Sequence, residues 1–385
     1  MFVFLTISCV FTGQVNAGVA TVENSWATMT PIPTGRTDFG VIAVNGQVYA
    51  ISGSTHGGYT TANELYNPQT NDWITREPIP AAKEAFGIAT FENRIYCIGG
   101  SGYNQVYQTN YVYDITADTW TTLAQMPTPR TYLTANIVNE KIYLIGGSTS
   151  LSELSIVTSN EVYDIATDTW STKNPIPVAV TSYSSVALNG KIYIIGGLSP
   201  LESNLVPLES KMVQIYDCAT DTWSFGASLP VALSGTIAVA TTGFYAPEKI
   251  YVFGGHYSGN QTVLANRNFN FTWVYDPVYN FWSKGADMPT KRAYLGVANV
   301  GDLLYAVGGY VSDHETFSRV NERFTPFGYS EVPLKTSPPP EGDGQSELQT
   351  IAIVAGVAVA GTVVAVTGIM VYHFKHAPVK AAKSS

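Results

Sequence analysis

The chain has 385 residues, of which 13% are charged and 45% hydrophobic, with 34 Gly and 24 Tyr. It is too apolar and aromatic for a disordered chain and too rich in Gly for a helical bundle. A formal charge of −9 argues against nucleic acid as a partner, because phosphate binding rests on surplus Lys and Arg, and three Cys are too few for a disulfide framework.

In chain order, the first predicted element is a signal peptide. Phe2 to Phe11 is a short apolar run without a preceding Lys or Arg, and small side chains at Val15 and Ala17 fit a signal-peptidase site. Cleavage is expected after Ala17, leaving residues 1–17 as the leader.

A repeat follows. Its second glycines are Gly53, Gly100, Gly147, Gly197, Gly255 and Gly309, spaced 47, 47, 50, 58 and 54 apart, with Ser52 in place of the first glycine in the first unit. Repeats of this length mean a solenoid, a propeller or an array. A short β-rich run such as Lys141-Ile142-Tyr143-Leu144-Ile145 stands before each pair, and a turn such as Asn189-Gly190 leads into it. An alternating strand such as Asn160 to Asp164 and a turn into Asp168-Thr169-Trp170 come after it. Four strands per unit is the composition of a propeller blade.

The glycine pairs, the Tyr-Asp steps and the spaced Trp73, Trp120, Trp170, Trp223 and Trp282 resemble the kelch repeat over residues 26–324. Departures are Ser52, Asn67 in place of Asp, and Phe324-Thr325 in place of Tyr-Asp. The resemblance implies an all-β, six-bladed kelch-type β-propeller over residues 18–330. Six glycine pairs are followed by only five Trp, and the missing one is Trp26, upstream of the first unit. The N-terminal strand is therefore expected to complete the sixth blade and close the ring.

In ligand-binding kelch propellers, residues opening the innermost strand and residues just after the glycine pair line one face around the central channel. Carried over to this chain, the first ring reads Arg36, Lys83, Arg130, Val180, Leu233 and Arg292. Arg292, Arg36, Lys83 and Arg130 would then form a continuous basic arc, a candidate anion site. The second ring includes Ser54, His56, Ser101, Tyr103, Ser148, His256, Ser258, Tyr310 and Ser312, a surface suited to hydrogen-bonding and stacking on a peptide or sugar. Ligand contacts are expected from Arg36, Lys83, Arg130, Arg292, His56, Tyr103, His256 and Tyr310.

Asn260-Gln261-Thr262 and Asn270-Phe271-Thr272 are N-glycosylation acceptors, at Asn260 and Asn270. No catalytic set, cofactor or metal site is expected: His56, His256 and His314 lie in separate loops, and Cys97 and Cys218 occupy positions filled by core residues in other units. Kelch-like enzymes such as copper radical oxidases and sialic-acid mutarotases provide an alternative. Arg36, Glu84 and His256 match the residue types of a mutarotase-like site only loosely.

Residues 331–350, with Pro338, Pro339 and Pro340, read as an extended stalk. Ile351 to Tyr372 carries no charge and at 1.5 Å per residue is long enough, at roughly 33 Å, to span a bilayer as a helix. Lys375, Lys380 and Lys383 follow it, so the positive-inside rule places residues 373–385 in the cytoplasm. All 29 acids precede this span and only three of the 20 bases follow it, which leaves an outer part at −12 and a tail at +3. Ala352, Gly356 and Ala360 line one face of the span, a pattern that fits self-association. The expected protein is a single-pass type I membrane protein whose propeller binds an extracellular protein or carbohydrate. The alternative is an extracellular sugar-directed or metal-dependent enzyme.

Overall fold

The computed structural model describes residues 22–152, 155–201, 204–257, 267–311 and 316–334. The leader, Asn260, Ser258, Ser312, His314, the stalk beyond residue 334, the apolar span and the tail lie outside them. Among the described residues, no helix is long and apolar enough to cross a membrane.

Six four-stranded antiparallel sheets form the six blades. Blade 1 runs outward from the channel through Gly40–Val44, Gln47–Ile51, Asn63–Asn67 and Asp72–Arg76. Blades 2 to 5 repeat the order, starting from Gly87–Phe91, Ala135–Val138, Ser184–Leu188 and Ile237–Ala240. In blade 6 the inner three strands are Gly296–Val300, Leu303–Val307 and Asn321–Thr325, and the outermost is Ser25–Thr28. Trp26 stands opposite Phe324 in that pairing, so the chain's first described strand closes the ring, as the count of Trp predicts.

Strand composition follows from position. The second strand of each blade packs against neighbours on both faces and reads as a continuous apolar run, as in Ile142-Tyr143-Leu144-Ile145, all buried. The outer strands are the most exposed, as in Thr169–Thr172, where only Trp170 is half-buried. The core is divided among the six interfaces between blades rather than lying at one centre. Ile145 and Val162 of blade 3 meet Ile192, Ile194 and Tyr216 of blade 4, and Tyr251 and Phe253 of blade 5 meet Leu304 and Phe324 of blade 6. Each such side chain contributes roughly 1.5–3 kcal/mol by burial.

Neighbouring blades are also clasped at their outer ends. Trp73, Trp120, Trp170, Trp223 and Trp282 donate their indole N–H to the carbonyls of Thr30, Glu77, Ala124, Asn174 and Ala227, at 2.7–3.1 Å. The N–H of each of those residues donates in return to Asn71, Asp118, Asp168, Asp221 or Asn280 in the turn before the same Trp. At the closing seam Trp26 and Asn24 hold Ala286 in the same way, at 2.8 and 2.7 Å.

The glycine pairs have a geometric cause. Gly100 has φ +91, and a Cβ there would lie 2.6 Å from the carbonyl oxygen of Glu84. The chain passes this point only without a side chain.

Removal of residues 22–30 takes away the sixth blade's outer strand together with the Asn24–Trp26 clasp. The deletion is expected to abolish cooperative thermal unfolding and the near-UV circular dichroism of the packed aromatics. A deletion protein that stays monomeric with an unchanged Tm would show that the seam does not hold the ring.

Candidate ligand face at the channel mouth

The four basic residues of the first ring do not face solvent. Arg36, Lys83, Arg130 and Arg292 are all 0% exposed. Their side chains run back into their own blades, toward carbonyls at the turn made by the glycine pair. Arg130 Nη1 donates to the carbonyls of Leu144 and Gly146 at 3.2 and 2.7 Å, and Nη2 to Glu161 Oε2 at 2.8 Å. Arg292 meets Ala306, Gly308 and Glu322 in the same arrangement. Arg36 donates to Ser52 and Ala62 carbonyls, both at 2.9 Å, and pairs with Glu64. The expected basic arc is corrected accordingly: these charges are already occupied with structural acceptors, and a buried charge must be paired.

Base and acid change together from blade to blade. Lys83 in blade 2 has Tyr111 where blades 1, 3 and 6 carry Glu, and its ammonium sits 4.8 Å from that ring while donating to Cys97 O, Gly99 O and Thr109 Oγ1. Burial lowers its pKa to about 8, and burial pushes the neighbouring Cys97 thiol up to about 12. Blade 4 has Val180 in place of the base and Gln214 in place of the acid, the amide bonding the backbone of Val178. Blade 5 has Leu233 and Trp273.

The innermost turn of each blade places a different residue at the channel mouth. Asp38, Ala85, Tyr132, Ser182, Gly235 and Tyr294 occupy this position in blades 1 to 6, all with φ between +50 and +57. Each donates its N–H to the carbonyl of the equivalent residue in the preceding blade, at 2.8–3.2 Å, and the cycle closes from Asp38 to Tyr294. Below them lies a cavity of about 400 Å³. Val41, Ala43, Val297 and Ala298 give it an apolar wall, while Thr134, Asn136 and Ser185 form a hydrogen-bonded polar stripe.

Around the mouth, the sector over blades 6, 1 and 2 is aromatic and acidic. Tyr310 lies 5.1 Å from Phe317 and 6.4 Å from Tyr294, and the exposed His56 meets Phe317 edge-on at 4.7 Å. Tyr103 is 69% exposed and packs edge-on against Tyr59 at 4.6 Å. Glu84 accepts from Ser54 Oγ and, at 3.3 Å, from Tyr59 Oη. Burial raises the Glu84 pKa against those two hydrogen bonds. The pKa of the Tyr310 phenol is raised by burial and then by the charges of Asp38 and Glu84. Where blades 2 and 3 meet, the buried hydroxyls of Ser101 and Thr131 are bonded at 2.9 Å, and the buried Ser148 lies beside Ser150 in blade 3.

Of the predicted residues, His56, Tyr103 and Tyr310 share this face. His256 is nearly buried, its Nδ1 3.0 Å from Asn268 Oδ1, while Asn268 donates to the Tyr310 carbonyl. Asn270 donates its amide to Met288 O at 3.0 Å. Cys97 is buried and Cys218 packs beside the cluster between blades 3 and 4. Among the described residues, no group of three His, Cys, Asp or Glu is placed to hold a metal ion. Asp38, Tyr132 and Tyr294 were not singled out by sequence reasoning. Their signal is a constant offset, two residues after the first-ring position.

This geometry defines a kelch-type β-propeller, a class that typically serves protein interaction. The chain belongs to the Attractin/LZTR1 beta-propeller family, whose model matches residues 95–327. The KLHDC2/KLHL20/DRC7 Kelch-repeats domain matches residues 17–147. Kelch-like protein 23 of Homo sapiens is 28% identical over 119 residues, covering 30% of this chain and 20% of that protein. Kelch-like protein 25 of Rattus norvegicus is 41% identical over 64 residues, covering 17% of this chain and 10% of that protein. The matched part thus spans a fifth or less of these relatives. The solved structure of YjhT superposes with a TM-score of 0.64 at 17% identity, covering 77% of this chain and 96% of that one, and shares the fold.

Two stability predictions follow from the buried bases. Glu161→Gln leaves Arg130 buried without its anion and should cost about 3–5 kcal/mol in chemical denaturation. The double change Arg130→Val with Glu161→Gln copies the side chains of blade 4 and should recover most of that loss; equal loss in both variants would refute the pairing argument. For Lys83, the folded pKa of about 8 lies below the unfolded value of 10.5, so the unfolded chain holds the extra proton between them. Stability of the wild type relative to Lys83→Met should therefore rise from pH 8 to 10.5, and a flat difference would contradict the lowered pKa.

Proposed function

We propose that the protein is a cell-surface interaction module that binds an extracellular protein through the face at the channel mouth. The observation that carries this reading is the aromatic rim, with Tyr103 presented to solvent above the channel. Exposed tyrosines supply contact area at little entropic cost and are enriched where proteins meet. Display outside the membrane is supported by the predicted leader, the uncharged span and the Lys residues that follow it.

Cells expressing the full chain should carry it at the surface, accessible to a membrane-impermeant biotin reagent. In a panel of purified extracellular proteins and glycans, ligands should lose roughly fivefold or more in affinity with His56→Ala plus Tyr103→Ala. Tyr279→Ala, on the outer edge of blade 5 and 79% exposed, should leave them unchanged. Ligands that respond to Tyr279 and ignore the other pair would move the interaction surface to the blade edge.

A further inference from the structure

We infer that residues 326–334 are a strap, locked by Asp302, that ties the closing seam a second time and sets the chain's exit on the face opposite the mouth. Three observations carry it. The first is a break in the repeat. In five blades the first and second strands are joined by two residues, 45–46, 92–93, 139–140, 189–190 and 301–302, whereas blade 5 joins Ile237–Ala240 to Ile250–Phe253 through residues 241–249. These turns lie at the strand ends away from the mouth, and the long loop of blade 5 reaches the turn of blade 6.

The second observation is what it meets there. Asp302 is 0% exposed, and the loop surrounds its carboxylate. Oδ1 accepts from the Thr242 N–H at 2.6 Å, and Oδ2 from those of Phe244, Tyr245 and Ala246 at 2.8–3.1 Å. The Asn299 amide donates to Oδ1 at 3.2 Å. No base among the described residues pairs with Asp302. Hydrogen bonds from main-chain N–H groups to a carboxylate are roughly twice as strong as neutral ones, so one side chain sets the shape of the loop.

The third is what the loop then holds. Asn321–Thr325 runs away from the mouth as the third strand of blade 6, and the residues after it turn toward blade 5. Ser330 donates its N–H to the Tyr245 carbonyl at 2.8 Å, and Leu334 to that of Phe244 at 2.6 Å. The Tyr329 and Tyr245 rings lie 6.2 Å apart. Gly328, with φ +67, passes so close to Pro247 that a Cβ would lie 3.1 Å from its ring, and its N–H donates to Glu23 Oε2 at 2.5 Å. Glu23 leads into the closing strand Ser25–Thr28, so the strap joins blade 5, blade 6 and the N-terminal strand at the seam where Asn24 and Trp26 hold Ala286. Asp302 shapes the loop, and the loop holds the strap. Held there, the chain leaves the propeller away from Tyr103 and keeps the mouth clear.

Hydrogen–deuterium exchange of the full chain in a mild detergent, read by mass spectrometry, tests this order of dependence. Peptides over 241–249 and 326–334 should both be protected in the wild type. Asn accepts the left-handed backbone of Asp302, φ +61, but replaces one acceptor by a donor. Asp302→Asn should therefore speed exchange in both peptides by roughly tenfold or more, with the second strands of blades 2 and 3 unchanged. Ser330→Pro removes a single strap N–H and leaves Asp302 untouched. It should speed exchange over 326–334 by roughly tenfold and leave 241–249 protected, a result that stands even if the first variant does not fold. In either variant the peptide over Ser25–Thr28 should exchange roughly threefold faster, and an unchanged rate there would refute the tie to the seam. The inference is overturned by free exchange of 326–334 in the wild type, by protection of 326–334 when Asp302→Asn opens the loop, or by opening of the loop in Ser330→Pro. Equal acceleration in blades 2 and 3 would refute a separate lock.

Discussion

A closed cycle of six backbone hydrogen bonds around the channel is the constraint on which the rest depends. Asp38, Ala85, Tyr132, Ser182, Gly235 and Tyr294 each bond to the equivalent residue of the blade before, and all six have left-handed backbone. The net gain of one such bond is about 0.5–1.5 kcal/mol, while a non-glycine residue in that conformation costs about 1–2 kcal/mol. The cycle therefore adds little stability. It fixes the radius at which blades approach, and stability comes from the six apolar interfaces behind it.

The same logic explains why the blades carry buried bases. Left-handed turns at the glycine pairs leave carbonyls of Ser52, Gly99, Gly146 and Gly308 facing into the blade without a strand partner, and a cationic head group satisfies them. Three blades neutralise that charge with Glu64, Glu161 or Glu322, and one covers it with Tyr111. Blades 4 and 5 omit both members. Replacement of an ion pair by apolar residues of similar volume costs little, whereas loss of one member is costly, so the two positions change together.

The repeat was legible because its units recur at nearly constant spacing, and the closing role of Trp26 followed from counting. The direction of Arg36 and its equivalents was not, since a fixed offset locates a Cα and says nothing of whether the side chain turns toward the channel or away. A clue was nevertheless present: Glu64, Glu161 and Glu322 stand 28, 31 and 30 residues after their arginines, and they are absent where the arginine is absent. The mouth residues Asp38, Tyr132 and Tyr294 were missed because they share no chemical type.

That lack of a shared type sets the mouth apart from the repeated positions. In a ring of equivalent blades, positions with a structural task repeat the same chemistry: Trp at the outer clasp, Asp or Asn in the turn before it, Gly at the pair. At the mouth the main chain makes the inter-blade bond, so that bond does not dictate the side-chain type. Asp, Ala, Tyr, Ser, Gly and Tyr all serve the fold there. Variation among blades at a position of fixed backbone therefore marks side chains that the inter-blade bond does not dictate, and it makes the mouth asymmetric, with Glu84 and aromatic rings over blades 6, 1 and 2. A sixfold scaffold presents a one-sided face because its symmetry is carried by the main chain.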